Sequence, residues 1–478
     1  MSTMRERWRN RLTILGLWLG SFLICGPMSG LVNADSLVWK ARQSKVDAQI
    51  ESWDLKTVLS KISAATGWEI YLEPETDRVV SVKFKNLSPS EALRRLLGDV
   101  NFALLTQTNA PAKLFIYRTS LQEATQLIPV AQEPKGKSTA NKTIPNELIV
   151  TLKPGSKESI EALARRLGAK VIGSAEDLHS YRLQFKDETD ADAARETLAA
   201  EKGSIDVDSN YSVGSPTRAE KLQLSSPPPP FSLKPKVSTD ASKVIVGLID
   251  TPVQPLAPGM NEFLLPSIAV AGESPKTDSQ LSHGTSMAET ILQGLSLATQ
   301  ENGGSTVRIL PVDVYGTSTE TTTFDVAKGI YTAINAGATI INLSMGGAGD
   351  SKLLSNLIQE SYKSGVLFFG AAGNEPSTAP TYPAAYSEVV AVTAGDKKGN
   401  LAPYANRGSF VDVIAPGLSV VQYNGQSYLI SGTSASTAYV SGTAAAYRAS
   451  GKPPAQVETA IREGLAVKPS GNRSTAKP

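Results

Sequence analysis

The stretch Ser431-Gly432-Thr433-Ser434-Ala435-Ser436-Thr437-Ala438-Tyr439-Val440-Ser441-Gly442 opens on glycine and hydroxyl residues and continues in small, uncharged ones through Ala446. Such a stretch reads as a helix buried on all sides and closely approached by other backbone. Ser434 falls at its first turn, where free N–H groups and the helix dipole favour developing negative charge. That setting suits a nucleophilic serine, and it equally suits a packed core helix with a hydroxylated N-cap. A serine nucleophile needs a base, and the chain has 2 histidines. His179 lies between strands of a small unit and reads as a surface or satisfied residue. His283, in Ser282-His283-Gly284-Thr285, opens a helix whose apolar face is Ile291, Leu292 and Leu295. The carboxylate that orients such a base belongs at a buried strand terminus. The apolar run Val244 to Ile249 ends abruptly in Asp250. Asn374, reached through the buried run Val366 to Phe369, could turn its side-chain N–H toward a tetrahedral oxyanion, together with the backbone N–H of Ser434. Taken singly, Asp250 also reads as a turn or cap acid and Asn374 as a turn amide. Ser286 shares the helix of His283 and cannot face its imidazole. Ser318 sits in a polar loop, Thr317 to Thr323, that borders a groove. Ser434 is therefore the better nucleophile.

These residues need a scaffold that brings distant positions to one rim. From Lys243 onward, apolar β-branched runs alternate with alanine-rich helical stretches: Val244 to Ile249, Val307 to Val314, Thr339 to Leu343, Val366 to Phe369 and Val389 to Val392. Continuously apolar strands belong to a parallel sheet covered on both faces, with chemistry at the carboxyl ends of the strands. The fold class expected is α/β: a parallel-sheet catalytic domain preceded by two small α+β domains.

The order Asp250, His283, Asn374, Ser434 and the phrases around them resemble the subtilisin-like serine proteases over residues 243–465. "GLIDT", "SHGT", "GAAGN" and "SGTSAS" carry the resemblance, supported by "INLSMGG", "YPAAYSEVVAVTA" and "VDVIAPG". It implies that Asp250 orients His283, that His283 is the general base, that Ser434 is the nucleophile and that Asn374 donates to the oxyanion. It also implies that Ser344-Met345-Gly346 is the strand edge to which an extended peptide substrate adds. Three positions depart from the family pattern: Pro252 after the Asp-Thr pair, Glu289 in place of a small glycine in the His motif, and Ala438 in place of proline in the Ser helix. None removes a catalytic group. No cofactor is implied, and calcium is left open because no calcium-ligand pattern stands out. The expectation is an exported serine endopeptidase made as a self-processing zymogen. The alternative is an inactive chain of the same fold that binds peptides or docks in the cell envelope.

The rest of the chain divides by composition. With 47 basic and 45 acidic residues there is no electrostatic case for nucleic acid, and 478 residues require several domains. The single Cys25 excludes an internal disulfide. Residues 1–34 read as a signal peptide: Arg5, Arg7, Arg9 and Arg11 precede an apolar run from Leu12 to Ile24, and Val32-Asn33-Ala34 has the form of a cleavage site. Export to the periplasm or beyond is expected, with an uncleaved anchor over 12–32 as the alternative. Residues 44–118 combine a helix through Leu55, Val58, Leu59 and Ile62, closed by Gly67, with a second one opened by Ser88-Pro89-Ser90-Glu91, a capping box with proline at the first helical position. This unit is similar to the short N-terminal domain of secretins and TonB-dependent receptors, which implies an envelope protein as partner. Residues 119–143 read as a linker. Residues 144–214 read as a βαββαβ sandwich, its first helix stopped by Gly168 and its last strand Ile205 to Val207. "NELIVTLKPG", "YRLQF" and "DVDSNYSV" give that sandwich a resemblance to the propeptide domain of subtilisin-like proteases, an intramolecular inhibitor. Residues 215–242, with Pro227 to Pro230, read as a stiff spacer, and 466–478 as a tail.

Overall fold

In the computed structural model, residues 36–467 are described except 41–43, 107–109, 129–142, 157, 202–204, 215, 225–231, 237–243, 274–279, 300–303 and 397. The expected signal peptide with its expected cleavage site near Ala34, Cys25 and most of the tail lie outside the described residues. Among the described residues, no helix is long and apolar enough to cross a membrane.

The apolar runs from Val244 onward form one seven-stranded sheet. Its order is Ile268–Ala269, Arg308–Asp313, Ile245–Asp250, Ile340–Leu343, Leu367–Ala371, Val389–Gly395 and Val413–Pro416, all parallel. Its central strands are buried on both faces, as their uninterrupted apolar sequences require. The helices His283–Ala298, Thr433–Ala449 and Pro454–Gly464 cover one face. Thr323–Asn335 and Lys352–Lys363 cover the other. The first two helices touch backbone to backbone. A Cβ on Gly442 would lie 2.0 Å from the Ile291 carbonyl, and one on Gly294 would lie 2.2 Å from that of Tyr439. Close packing of this kind is what the small-residue stretch around Ser434 requires.

Residues 143–213 form the expected sandwich. Its antiparallel sheet runs Ile205–Val213, Thr143–Leu152, Ser180–Gln184, Lys170–Ala175, backed by helices Ile160–Leu167 and Glu188–Ala200. The last strand is longer than the expected Ile205 to Val207. Its end leaves the sandwich and pairs with the parallel-sheet domain, Ser212 opposite Thr322 and Val213 opposite Thr321.

Two helices of the first unit, Leu55–Thr66 and Pro89–Leu97, have the caps expected from sequence, including the Ser88–Glu91 capping box. They pack between two sheets. One is formed by Ser36–Lys40, Lys45–Asp54 and Val79–Leu87, the first of which begins ahead of the expected boundary at 44. The other contains Asn101–Leu105, Lys113–Tyr117, Glu69–Leu72 and Gln126–Leu127. The 215–242 stretch is not only a spacer. Glu220–Leu224 and Lys234–Pro235 are strands in it, and the former extends the second sheet into the parallel-sheet domain.

Candidate active site

Asp250 ends the Ile245–Asp250 strand and is 1% exposed. Its Oδ1 accepts the Thr251 N–H at 2.7 Å, which fixes the carboxylate plane. His283 is the first residue of its helix, and its Nδ1 lies 2.8 and 2.9 Å from the two oxygens of Asp250. Thr251 Oγ1 accepts the Gly284 N–H at 2.8 Å. A side chain at 284 has no room, because its Cβ would sit 2.2 Å from the Thr251 carbonyl. The glycine after His283 is thus what lets the helix start close against the aspartate turn.

Pro252 removes an N–H from that turn, yet the turn is held by its other groups. Ser282 Oγ donates to the Pro252 carbonyl at 2.6 Å, and Gln254 N donates to Thr285 Oγ1 at 2.8 Å. The Gln254 side chain accepts from Ser282 N and donates to the Gln280 carbonyl. Glu289 does not disturb the helix contact, which is made at Gly294 and Gly442. It points instead toward the Leu418–Tyr423 strand, where Oε2 accepts the Gln422 N–H at 2.9 Å. Burial pushes its carboxyl up to about 7.

Ser434 is the second residue of helix Thr433–Ala449 and is 8% exposed. Its hydroxyl donates to the Ser344 carbonyl at 3.0 Å, and Ser344 Oγ donates back to the Ser434 carbonyl at 3.0 Å. The Ser344 hydroxyl in turn accepts from Asn342 Nδ2, whose Oδ1 accepts from Ser441. This buried chain locks the end of the Ile340–Leu343 strand to the serine helix. Asn374 Oδ1 accepts the Thr433 N–H at 2.8 Å, and Nδ2 has no hydrogen-bond partner among the described residues. His283 Nε2 is buried and has no hydrogen-bond partner among the described residues. The aspartate–imidazole bond is therefore formed here, whereas the Ser434 hydroxyl rests on Ser344 rather than on the base. Such bonds are often unformed without substrate.

The cleft beside these residues is filled by the chain itself. Tyr211, Ser212 and Val213 lie between the Thr321–Thr322 strand and Met345, Gly346 and Gly347. The backbone pairing is with Thr321–Thr322, inside the loop that sequence places at the border of a groove, and Met345 and Gly346 face the tail from the opposite wall. Tyr315 OH donates to the Gly214 carbonyl at 3.1 Å. Beyond it, Pro216 and Arg218 line a cavity of about 390 Å³ that also contains His283, Thr251 and Tyr315. The sandwich is anchored at two helix N-termini, where partial positive charge accumulates. Asp208 Oδ2 accepts from Ser351 Oγ and Leu353 N at the start of Lys352–Lys363. Asn210 Oδ1 accepts from Thr323 Oγ1 and Phe324 N at the start of Thr323–Asn335, and its Nδ2 donates to Glu147, which is paired with Arg182. Sequence reasoning misses both caps; the polar residues of "DVDSNYSV" at alternate positions are the available signal. His179 is exposed in a turn of the sandwich.

Residues 241–466 match the subtilase family, and residues 130–207 match the fervidolysin N-terminal prodomain. Thermitase from Thermoactinomyces vulgaris is 31% identical over 240 residues, which cover 48% of this chain and 84% of thermitase. The thermophilic serine proteinase of Bacillus sp. (strain AK1) is 34% identical over 184 residues, and the chain spans 46% of that protein's length and 38% of its own. The solved epidermin leader peptide processing serine protease of Staphylococcus aureus, a serine-to-alanine mutant, is 18% identical with a TM-score of 0.49, covering 70% of this chain and 96% of that one. With its prodomain-like unit placed ahead of its Asp, His and Ser motifs, the chain belongs to the subtilase family.

Proposed function

We propose that the protein is an exported serine endopeptidase, made as a zymogen that cuts its own chain between Asn210 and about Lys243. The observation that carries this reading is the buried Asp250–His283 pair at the end of one strand, with the Ser434 hydroxyl held on Ser344 just past the end of the neighbouring strand and an imidazole Nε2 that has no partner among the described residues. When a peptide carbonyl enters, the Ser434 hydroxyl turns from the Ser344 carbonyl and passes its proton to His283 Nε2 while Oγ attacks the carbonyl carbon. Asp250 stabilises the imidazolium through Nδ1. Asn374 Nδ2 and the Ser434 N–H receive the oxyanion. The imidazolium then protonates the leaving amine, and water releases the acyl group by the same steps in reverse order. Residues 44–118 fit a docking module, with an envelope protein as its external partner.

The test is the purified full-length precursor. It should shorten to a species whose N-terminal sequence begins between Asn210 and Lys243, and a fluorophosphonate should label Ser434. Ser434→Ala should abolish both. A Ser434→Ala chain that still shortens without added protease overturns the reading.

A further inference from the structure

The strand Glu220–Leu224 has partners from two parts of the chain. Glu220 and Lys221 pair antiparallel with Leu429 and Tyr428 of the peptidase hairpin. Leu222, Gln223 and Leu224 pair antiparallel with Leu105, Leu104 and Ala103 of the N-terminal unit. One sheet therefore runs from the hairpin Leu418–Tyr423 and Gln426–Ser431, through this strand, into the unit formed by residues 36–128. Behind it, Leu105, Phe115 and Leu121 of the unit share one buried cluster with Leu222, Leu418 and Leu429. The rim is polar: Thr125 Oγ1 donates to Asp396 at 3.0 Å, and Lys398 Nζ lies 2.7 Å from Glu75. The contact ends close to the nucleophile. Leu418 follows Gly417, whose carbonyl accepts from Gly432 N at 2.9 Å and from Tyr404 OH at 3.0 Å. Gly432 is the N-cap of the Ser434 helix.

We propose that residues 36–128 are a docked, non-covalent part of the processed peptidase, held through the Glu220–Leu224 strand and positioning the turn that carries Ser434. The position of the cut rests on the self-processing reading. The tail enters the cleft at Ser212 and Val213, and Pro216 and Arg218 share a cavity with His283, so these are the described tail residues nearest the base. A cut there leaves Glu220–Leu224 on the peptidase side as its first strand. The prodomain tail is severed from it, but the edge at Asn101–Leu105 keeps its partner. Removal of the unit would expose two strand edges and the apolar cluster together, a state that sheet proteins avoid.

The docking is tested without catalysis. In the full-length Ser434→Ala chain, a site-specific protease recognition sequence is inserted within 129–142 and cut, so that only this interface holds residues 36–128. Gel filtration at about micromolar concentration should show the unit co-eluting with the remainder. Leu105→Asp, which places a carboxylate in the shared cluster, should weaken the association by about a hundredfold and separate the two. Leu222→Asp on the opposite strand should do the same, and circular dichroism of the released unit shows whether it remains folded. A wild-type unit that elutes alone, or a folded variant unit that stays bound, overturns the docking. The positioning arm uses the active chain: Leu222→Asp should lower kcat on a short peptide by about tenfold with KM unchanged. An unchanged kcat overturns that part. Failure of self-processing appears in the second arm alone, which separates it from failure of docking.

Discussion

Glu289 makes the stability of the protein depend on pH in a way that its burial specifies. The residue is 2% exposed, and its carboxyl is raised from 4.5 to about 7, chiefly by burial and opposed by the hydrogen bond from Gln422 N. The native state therefore holds it protonated in a range where the unfolded chain ionises it. Below pH 4.5 both states bind the proton and the contribution is fully present. As pH rises through about 7 it is lost, and above that both states are ionised and the loss is complete. At about 1.4 kcal/mol per pH unit, a displacement of this size corresponds to about 3 kcal/mol between acid and mildly alkaline conditions. Glu289→Gln keeps the volume and an oxygen for the Gln422 N–H but has no proton to lose. In a Ser434→Ala background, which prevents self-digestion, urea unfolding measured from about pH 4.5 to about 8.5 should show the two chains equal in acid. The Gln variant should be the more stable by up to about 3 kcal/mol at about pH 8.5. A difference that stays the same across that range would refute the reasoning, because it would mean that Glu289 does not titrate between the two states.

Further outcomes follow from the same geometry. Gly284→Ala forces a Cβ against the Thr251 carbonyl and should part Asp250 from His283, so fluorophosphonate labelling of Ser434 should slow by about a hundredfold or more while the folded chain persists. Asn374→Ala should lower kcat by about a hundredfold to a thousandfold with little change in KM, if its amide acts on the transition state as proposed. Asp208→Ala removes the sandwich's acceptor at the N-terminus of the Lys352–Lys363 helix, beside its N-cap Ser351, and should weaken the prodomain's hold by about 1–2 kcal/mol, read as faster release of the sandwich once the chain is cut.

The parts of the site legible in the sequence are those whose signal is local. An apolar run ending in Asp250, a capped helix opening on His283 and a small-residue helix opening on Ser434 each carry their structural reason within a few neighbours. Helix caps at Ser88, Gly67 and Gly168 are readable for the same reason. Contacts whose reason lies elsewhere in the chain are not. The Ile205–Val213 strand reads from sequence as ending at Val207, because its remaining residues find their partners at Thr321 and Thr322, more than a hundred positions away. Glu220–Leu224 sits in a stretch whose prolines speak for an extended spacer, and only the edges at Ala103–Leu105 and Tyr428–Leu429 make it a strand. The resting place of the Ser434 hydroxyl on Ser344 depends on the side-chain chain through Asn342 and Ser441, which no spacing announces.

The three departures from the family pattern show why catalytic geometry outlasts changes in the residues around it. At Pro252 the lost N–H is immaterial, because the turn is fastened by its carbonyl and by Gln254, both reaching the loop that ends in Ser282. At Glu289 a large side chain is accommodated because the close approach of the two helices falls further along, at Ile291, Gly294 and Gly442. Ala438 lies fully buried inside a helix, where alanine is the most favourable residue and no kink is required. Each change therefore falls where the backbone is already fixed by other contacts. Gly284 is different: nothing beside it can yield, since the atom a side chain would strike is the carbonyl of Thr251, next to the aspartate itself. The Asp250–His283 bond therefore depends on the glycine joining the His helix to the Asp turn more than on any of the three substituted residues.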